Sequence, residues 1–176
     1  DFNEVVPLNQ KEWSEFEIGK IFKLVPGRSR GLNHLTKNNY GVNYLGATNS
    51  NNGVLAYVSI EGNTKMLQRG NCIAFIRNGE GSMGFSIYKS ENFIATSDIS
   101  VGYSENLNRE IGLFITTIAD RVRGKYNFGY KRSATRLKKE KLHLPIDKNK
   151  QPAYDYMENY IKKLEYEKLK AYIVRN

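Results

Sequence analysis

The residues best suited to chemistry gather in one stretch. Between Arg121 and His143 stand nine Lys or Arg (Arg121, Arg123, Lys125, Lys131, Arg132, Arg136, Lys138, Lys139, Lys141) and one acid, Glu140. This local charge of +8 compares with a formal net charge of +9 for all 176 residues, so the positive charge is a local feature. Three aromatics (Tyr126, Phe128, Tyr130) and Gly129 lie among the bases. Cations interleaved with aromatics suit a nucleic-acid surface. The same composition describes one solvated helix face, and charge alone leaves both readings open. A second basic segment, residues 27 to 39 (GRSRGLNHLTKNN), reads as a loop with Arg28, Arg30, His34 and Lys37.

Other patterns argue against catalysis. Gly79 to Gly84 spells G-x-G-x-x-G, but FSIYKS follows, which is strand-like. A dinucleotide site needs the third glycine to open a helix, so these glycines are expected to serve a tight hairpin with Arg77 and Asn78 at its tip. His34 and His143 have no Cys or acid at ligand spacing, so no metal is expected. There is no Gly-x-Ser-x-Gly elbow or phosphate loop, and no acid is followed two residues later by Lys as in common nucleases. Nothing pairs a nucleophile with a base, and the expectation is a non-catalytic protein.

The elements that must position these residues follow from composition and periodicity. The length suits one domain, or one with an appendage, and 40% hydrophobic with 12% aromatic residues can fill a core. The chain opens on Asp1 without a secretory pattern or an initiator Met, as expected of an excised or processed piece. No apolar run reaches membrane-span length. The lone Cys72, inside CIAFI, is expected to be a buried thiol, and the natural location is cytoplasmic.

Short strand-like runs fill residues 13–25, 42–60, 72–77, 85–88 and 93–103. Asn49 to Gly53 forms a reversing loop, since Asn and Gly tolerate positive φ. Val54, Ala56, Val58 and Ile60 alternate at period two. From Asn108 to Gly124 the pattern becomes helical: Ile111, Phe114, Ile115, Ile118 and Val122 share one face, with Asn108 as N-cap and Gly124 as the stop. Leu142 to Pro145 reads as a short strand, and IDKNKQP as a polar linker. A last helix is expected from Pro152 towards Asn176, about 35 Å at 1.5 Å per residue. It is read as projecting, with Met157, Ile161 and Leu164 offered to a partner helix. The predicted class is therefore α+β: a β-rich, strongly twisted or partly closed sheet with a packed helix, then a long C-terminal helix. Residues 1–145 would form the binding domain and 146–176 the linker and spacer helix.

The run FGYKRSATRLKKEKLHLPIDKNKQPAYDYMENYIKKL resembles the end of a target recognition domain entering its conserved helix. That arrangement belongs to the DNA specificity subunits of type I restriction-modification systems and their type IIB and IIG relatives. The matching pieces are Phe128-Gly129, the basic run from Arg132 to Lys141, Leu142 to Pro145, Pro152, and Tyr156 to Ile161. Upstream, WSEFEIGKIFKLVPG, LGATNSNNGV, NGEGSMGFSIY and FIATSDISV resemble the family's earlier segments. The resemblance covers about residues 13 to 165; it lies in the order and spacing of common residues. A complete subunit carries two recognition domains and two long helices. This chain has room for one of each, like a half-subunit or a fragment of a longer chain.

The resemblance implies a protein that chooses the double-stranded DNA sequence on which a methyltransferase subunit, and sometimes a nuclease subunit, acts. No cofactor is expected on this chain; S-adenosylmethionine would sit on the methyltransferase. The helix would pair with that of a second recognition domain or a second copy. Within that scheme Lys131, Arg132, Arg136, Lys138 and Lys139 would neutralise phosphates. Arg28, Arg30 and Arg77 suit bidentate contact with guanine, and Asn49, Asn51, Asn52 and Asn78 suit adenine, although each Asn also reads as a turn former. Tyr126 and Tyr130 would stack, wedge or close the core. Two other classes fit the same residues: a general RNA or single-strand binder, and a protein–protein adaptor acting through the last helix.

Overall fold

The computed structural model describes residues 4–79, 81–126 and 131–175; of Val122 only the backbone is described. Glu80 of the glycine-rich motif, Phe128-Gly129 and the candidate Tyr130 lie outside these residues.

The body is built around CIAFI. All five residues of β5 (Cys72–Ile76) are buried, because the strand lies inside a sheet covered on both faces, which calls for an unbroken apolar run. That antiparallel sheet has the order β2 (Lys23–Pro26), β8 (Ile99–Tyr103), β5, β6 (Ser86–Lys89). On one face Ile73 and Phe75 meet α2 (Arg109–Ala119) through Ile111, Phe114 and Ile115. On the other, Cys72, Ala74 and Ile76 meet Leu45, Phe93 and Ala95. Those three residues come from a second sheet, in which β3 (Lys37–Leu45) lies between antiparallel β4 (Val54–Val58) and parallel β7 (Phe93–Ala95). A third sheet pairs β1 (Trp13–Glu17) with β9 (Lys141–Pro145), antiparallel, with Trp13 opposite Pro145, and the single-turn α1 (Ile18–Ile21) follows β1.

The α+β class, the packed helix and the long last helix therefore stand. Among the described residues the body is three small sheets, none of them closed, rather than one. The Asn108 cap is present, its side chain accepting from the Ile111 N–H at 2.9 Å. The expected stop at Gly124 is displaced. The α-helix ends at Ala119, and residues 120 to 125 tighten into a 3₁₀ turn. The Asp120 carboxylate supplies the reason, accepting from the Ser86 N–H (2.8 Å) and Oγ (2.9 Å) and tying the helix end to β6. Of the face predicted in β4, Val58 is fully buried, whereas Ile60 lies past the strand and is 40% exposed.

Residues 146 to 152 form a closed turn. The Asp147 carboxylate accepts from the N–H groups of Asn149 and Gln151, and Lys150 takes positive φ (61°). The last helix, α4 (Tyr154–Arg175), starts two residues after Pro152. Its placement corrects one expectation: Met157 is fully buried in the core with Leu142 and Leu144, so it is not offered to a partner helix. Ile161 is half-buried against the same core, and Tyr160 meets Phe114 edge-on at 6.0 Å. Beyond this, Leu164 is 44% exposed, and Leu169, Tyr172, Ile173 and Val174 are exposed too. The first half of α4 thus belongs to the body, and the second half projects. No helix among the described residues is long and apolar enough to cross a membrane.

Candidate nucleic-acid interface

Three connections meet at one end of the body: residues 46–53 between β3 and β4, 77–79 with 81–85 between β5 and β6, and 120–126 with Lys131 after α2. The first is an asparagine turn. Asn51 and Asn52 hold left-handed φ values of 47° and 52°, a conformation Asn adopts more readily than most residues. Asn51 also donates to the Val54 carbonyl at 3.1 Å. These two residues shape the loop, whatever else they touch. Asn49 accepts from Ser82 Oγ at 3.3 Å, linking the first connection to the second.

The glycine motif serves two close approaches in the connection between β5 and β6. Gly79 has φ of 133°, and a Cβ there would come within 2.8 Å of the Ala47 carbonyl oxygen. Gly84 has φ of 94°, and a Cβ would stand 2.9 Å from Arg123 Cα. Each glycine lets this connection close on a neighbour, one on each side. At its base Arg77 donates through Nη2 to the Ser97 carbonyl (2.7 Å), and Asn78 donates to Asp98 Oδ1 (3.2 Å). Arg77 Nε is buried with no hydrogen bond among the described residues.

The convergence leaves a cleft of about 680 Å³, within the roughly 300–1,000 Å³ of ligand-accepting clefts. Met83, Phe85 and Tyr126 give it apolar walls, and Asn49, Asn78, Arg123 and Lys131 give it polar edges. Residues predicted from three separate stretches (Asn49, Asn78, and Tyr126 with Lys131) thus share one concavity. Arg28 and Arg30 do not line it. They are exposed and flank Ser29, whose carbonyl accepts from the Ser97 N–H. Arg28 Nη1 donates to the carbonyls of Lys65 (3.1 Å) and Leu67 (3.2 Å).

The basic stretch divides. Arg132 is only 1% exposed and cannot serve as a phosphate contact. Its guanidinium donates to both Glu140 oxygens (3.0 and 2.8 Å) and to the Ile76 carbonyl (3.1 Å). It also lies 5.7 Å from the Phe75 ring centroid and 5.4 Å from that of Tyr126. Tyr126 OH donates to Glu140 Oε2 at 2.6 Å; burial and the Glu140 carboxylate push the phenol pKa up. This cluster fastens the Tyr126 wall and the base of the β5–β6 connection to the core. The bland reading of Tyr126, an aromatic closing the core, accounts for these contacts.

Lys131, Arg136, Lys138 and Lys139 are exposed. The last three lie on α3 (Ala134–Lys139), which Ser133 caps by accepting from the Arg136 N–H. Leu137 is its buried anchor and turns the basic side chains outward. Arg136 Nη1 donates to the Lys131 carbonyl at 2.6 Å. Lys131, Lys138 and Lys139 take part in no ion pair among the described residues. Sequence reasoning missed Arg123 as an individual and Phe85 beneath it, 4.2 Å from guanidinium to ring centroid. Charge counting merged Arg123 with its neighbours, and Phe85 read only as strand.

The described residues hold no cluster of His, Cys, Asp and Glu that could bind a metal ion. Cys72 is fully buried, and desolvation pushes its thiol up to about 12.

The fold recurs in solved structures. The S subunit of a type I restriction-modification system from M. genitalium superposes with a TM-score of 0.63 at 19% identity, over 96% of this chain and 42% of that one. The HsdS subunit from Thermoanaerobacter tengcongensis gives 0.60 at 10% identity, over 94% and 41%. In sequence, the specificity subunit S.BcgI of a type II restriction enzyme from Heyndrickxia coagulans is 28% identical over 160 residues, 90% of this chain and 45% of the relative. The chain thus spans less than half the length of each of these relatives. Residues 10–173 match the family model of the type I restriction modification DNA specificity domain. With nearly the whole chain inside that match, the protein belongs to the type I restriction modification DNA specificity domain family.

Proposed function

We propose that this chain is a non-catalytic, sequence-specific double-stranded DNA recognition module that reads one half-site. The observation that carries the reading is the joining of a cleft with polar edges to an outward-facing row of cations. Lys131 lies at the cleft, and Arg136, Lys138 and Lys139 follow on α3. The cations hold phosphates and set register, and the cleft residues meet base edges. The projecting half of α4 pairs with the equivalent helix of a second recognition domain or second copy, which fixes the distance between two half-sites. A methyltransferase subunit, bringing S-adenosylmethionine, modifies the chosen sequence, and a nuclease subunit joins in systems that cleave.

Salt dependence tests this reading. Four phosphate contacts predict that log affinity for duplex DNA falls with log salt at a slope near −3.6, from roughly −0.9 per contact. Affinity that does not change with salt would overturn the proposal. Tighter binding of single strands than of any duplex would replace it with the single-strand reading.

A further inference from the structure

The arginines of this chain differ in how they are held: Arg69 and Arg123 each lie over a ring, Arg69 over Tyr103 at 5.1 Å, and of these two Arg123 lines the cleft. Arg132 has its donors committed to Glu140 and Ile76. Arg77, Arg28 and Arg136 each donate to backbone carbonyls. Arg123 is held through its face: the guanidinium lies over Phe85 at 4.2 Å and has no side-chain hydrogen bond or ion pair among the described residues. The acid nearest in sequence, Asp120, accepts from Ser86 and forms no ion pair with Arg123 among the described residues, although the guanidinium's charge reaches it. A guanidinium fixed by π-stacking keeps its in-plane N–H donors available. This one lines the cleft, as Asn78 and Lys131 do. Its backbone is fixed too, because Gly84 packs where a Cβ would stand 2.9 Å from Arg123 Cα.

We infer that Arg123 is a specificity-determining residue that reads guanine, presenting a planar pair of donors to the O6 and N7 acceptors in the major groove. The inference rests on the duplex-recognition reading above and adds the base and the residue. Phe85 is its positioning residue: it holds the fork flat and spends none of its donors. Lysine at this position would keep the charge and lose both the stack and the fork.

The test is selection from a randomised duplex library with the full-length protein, comparing wild type, Arg123→Lys, Arg123→Ala and Phe85→Leu, each checked for folding by thermal melting. Arg123→Lys should lose about 10- to 100-fold of preference for guanine at one position while the salt slope stays near the wild-type value. Phe85→Leu should weaken preference at that same position by a smaller factor. A uniform loss in Arg123→Ala across all sequences, with the slope falling by about 0.9 and Arg123→Lys like wild type, would make Arg123 a phosphate contact and overturn the inference. An unchanged profile in all three variants would also overturn it, while wild-type discrimination between duplexes would leave the recognition reading standing. A wild-type protein that prefers no duplex sequence would overturn both.

Discussion

Arg132 and Arg123 lie nine residues apart in the same basic stretch and have opposite surroundings. Arg132 is sealed beneath Tyr126, with both oxygens of one carboxylate and a backbone carbonyl around it. Arg123 is exposed, with its backbone against Gly84 and its guanidinium over the Phe85 ring. The first arginine builds the cleft wall, and the second edges the cleft. Local charge density therefore counts cations without telling which of them face a partner. The two halves of α4 repeat the lesson with apolar residues: Met157 is core, whereas Leu169 and Ile173 are solvent-facing.

The largest expected effect comes from breaking the buried half of the comparison. Arg132→Ala leaves Glu140 buried without its counter-charge, at a cost of about 3–5 kcal/mol. For a domain of this size that lowers the melting midpoint by roughly 10 °C. A variant that melts like wild type would place Arg132 on the surface. Met157→Ala should cost about 2–5 kcal/mol by opening a core cavity, readable from the urea midpoint.

On the exposed side, Lys138→Ala with Lys139→Ala should leave melting within roughly 0.5 kcal/mol of wild type. The same pair should flatten the salt slope of duplex binding by about 1.8. Replacing Leu169 and Ile173 by Ala should likewise spare the fold while weakening association between helices, seen as a shift in sedimentation. Unchanged sedimentation would mean that the projecting half is not the pairing surface.

A further effect is confined to alkaline pH. The Cys72 thiol, at 9.0 in the unfolded chain, is pushed to about 12 by burial. The folded protein keeps its proton between those values while the unfolded chain releases it, so the thiol adds no pH dependence below 9. Stability falls as pH rises from 9 towards 12. Cys72→Ala should flatten part of that fall in melts taken across the range.

What the sequence disclosed and what it hid follow from the reach of each interaction. The Asn108 cap and the asparagine turn are set within a few residues, and the pattern shows them directly. Arg132 is satisfied by Glu140 eight residues on and by Ile76 fifty-six residues back, which charge counting cannot see. The one signal available was Glu140 itself, a lone acid in a run of bases. The end of α2 was hidden for a similar reason, since Asp120 turns towards Ser86 well before Gly124 is reached. Tyr154, Met157, Ile161 and Leu164 form one apolar line along a helix, and such a line fits a body and a partner equally well. The division into three sheets depends on the parallel pairing of β3 with β7, whose partners lie some fifty residues apart.

The central claim is that the cleft selects the sequence while the cations of α3 hold the duplex without selecting. The most direct measurement compares the base-preference profile of an Asn49→Ala, Asn78→Ala variant with that of the Lys138→Ala, Lys139→Ala variant, on the same duplex library. The cleft variant should lose preference at one or two positions with an unaltered salt slope. The lysine variant should keep the full profile at lower affinity. A lysine variant with a changed profile, beside a cleft variant that selects like wild type, would contradict that claim.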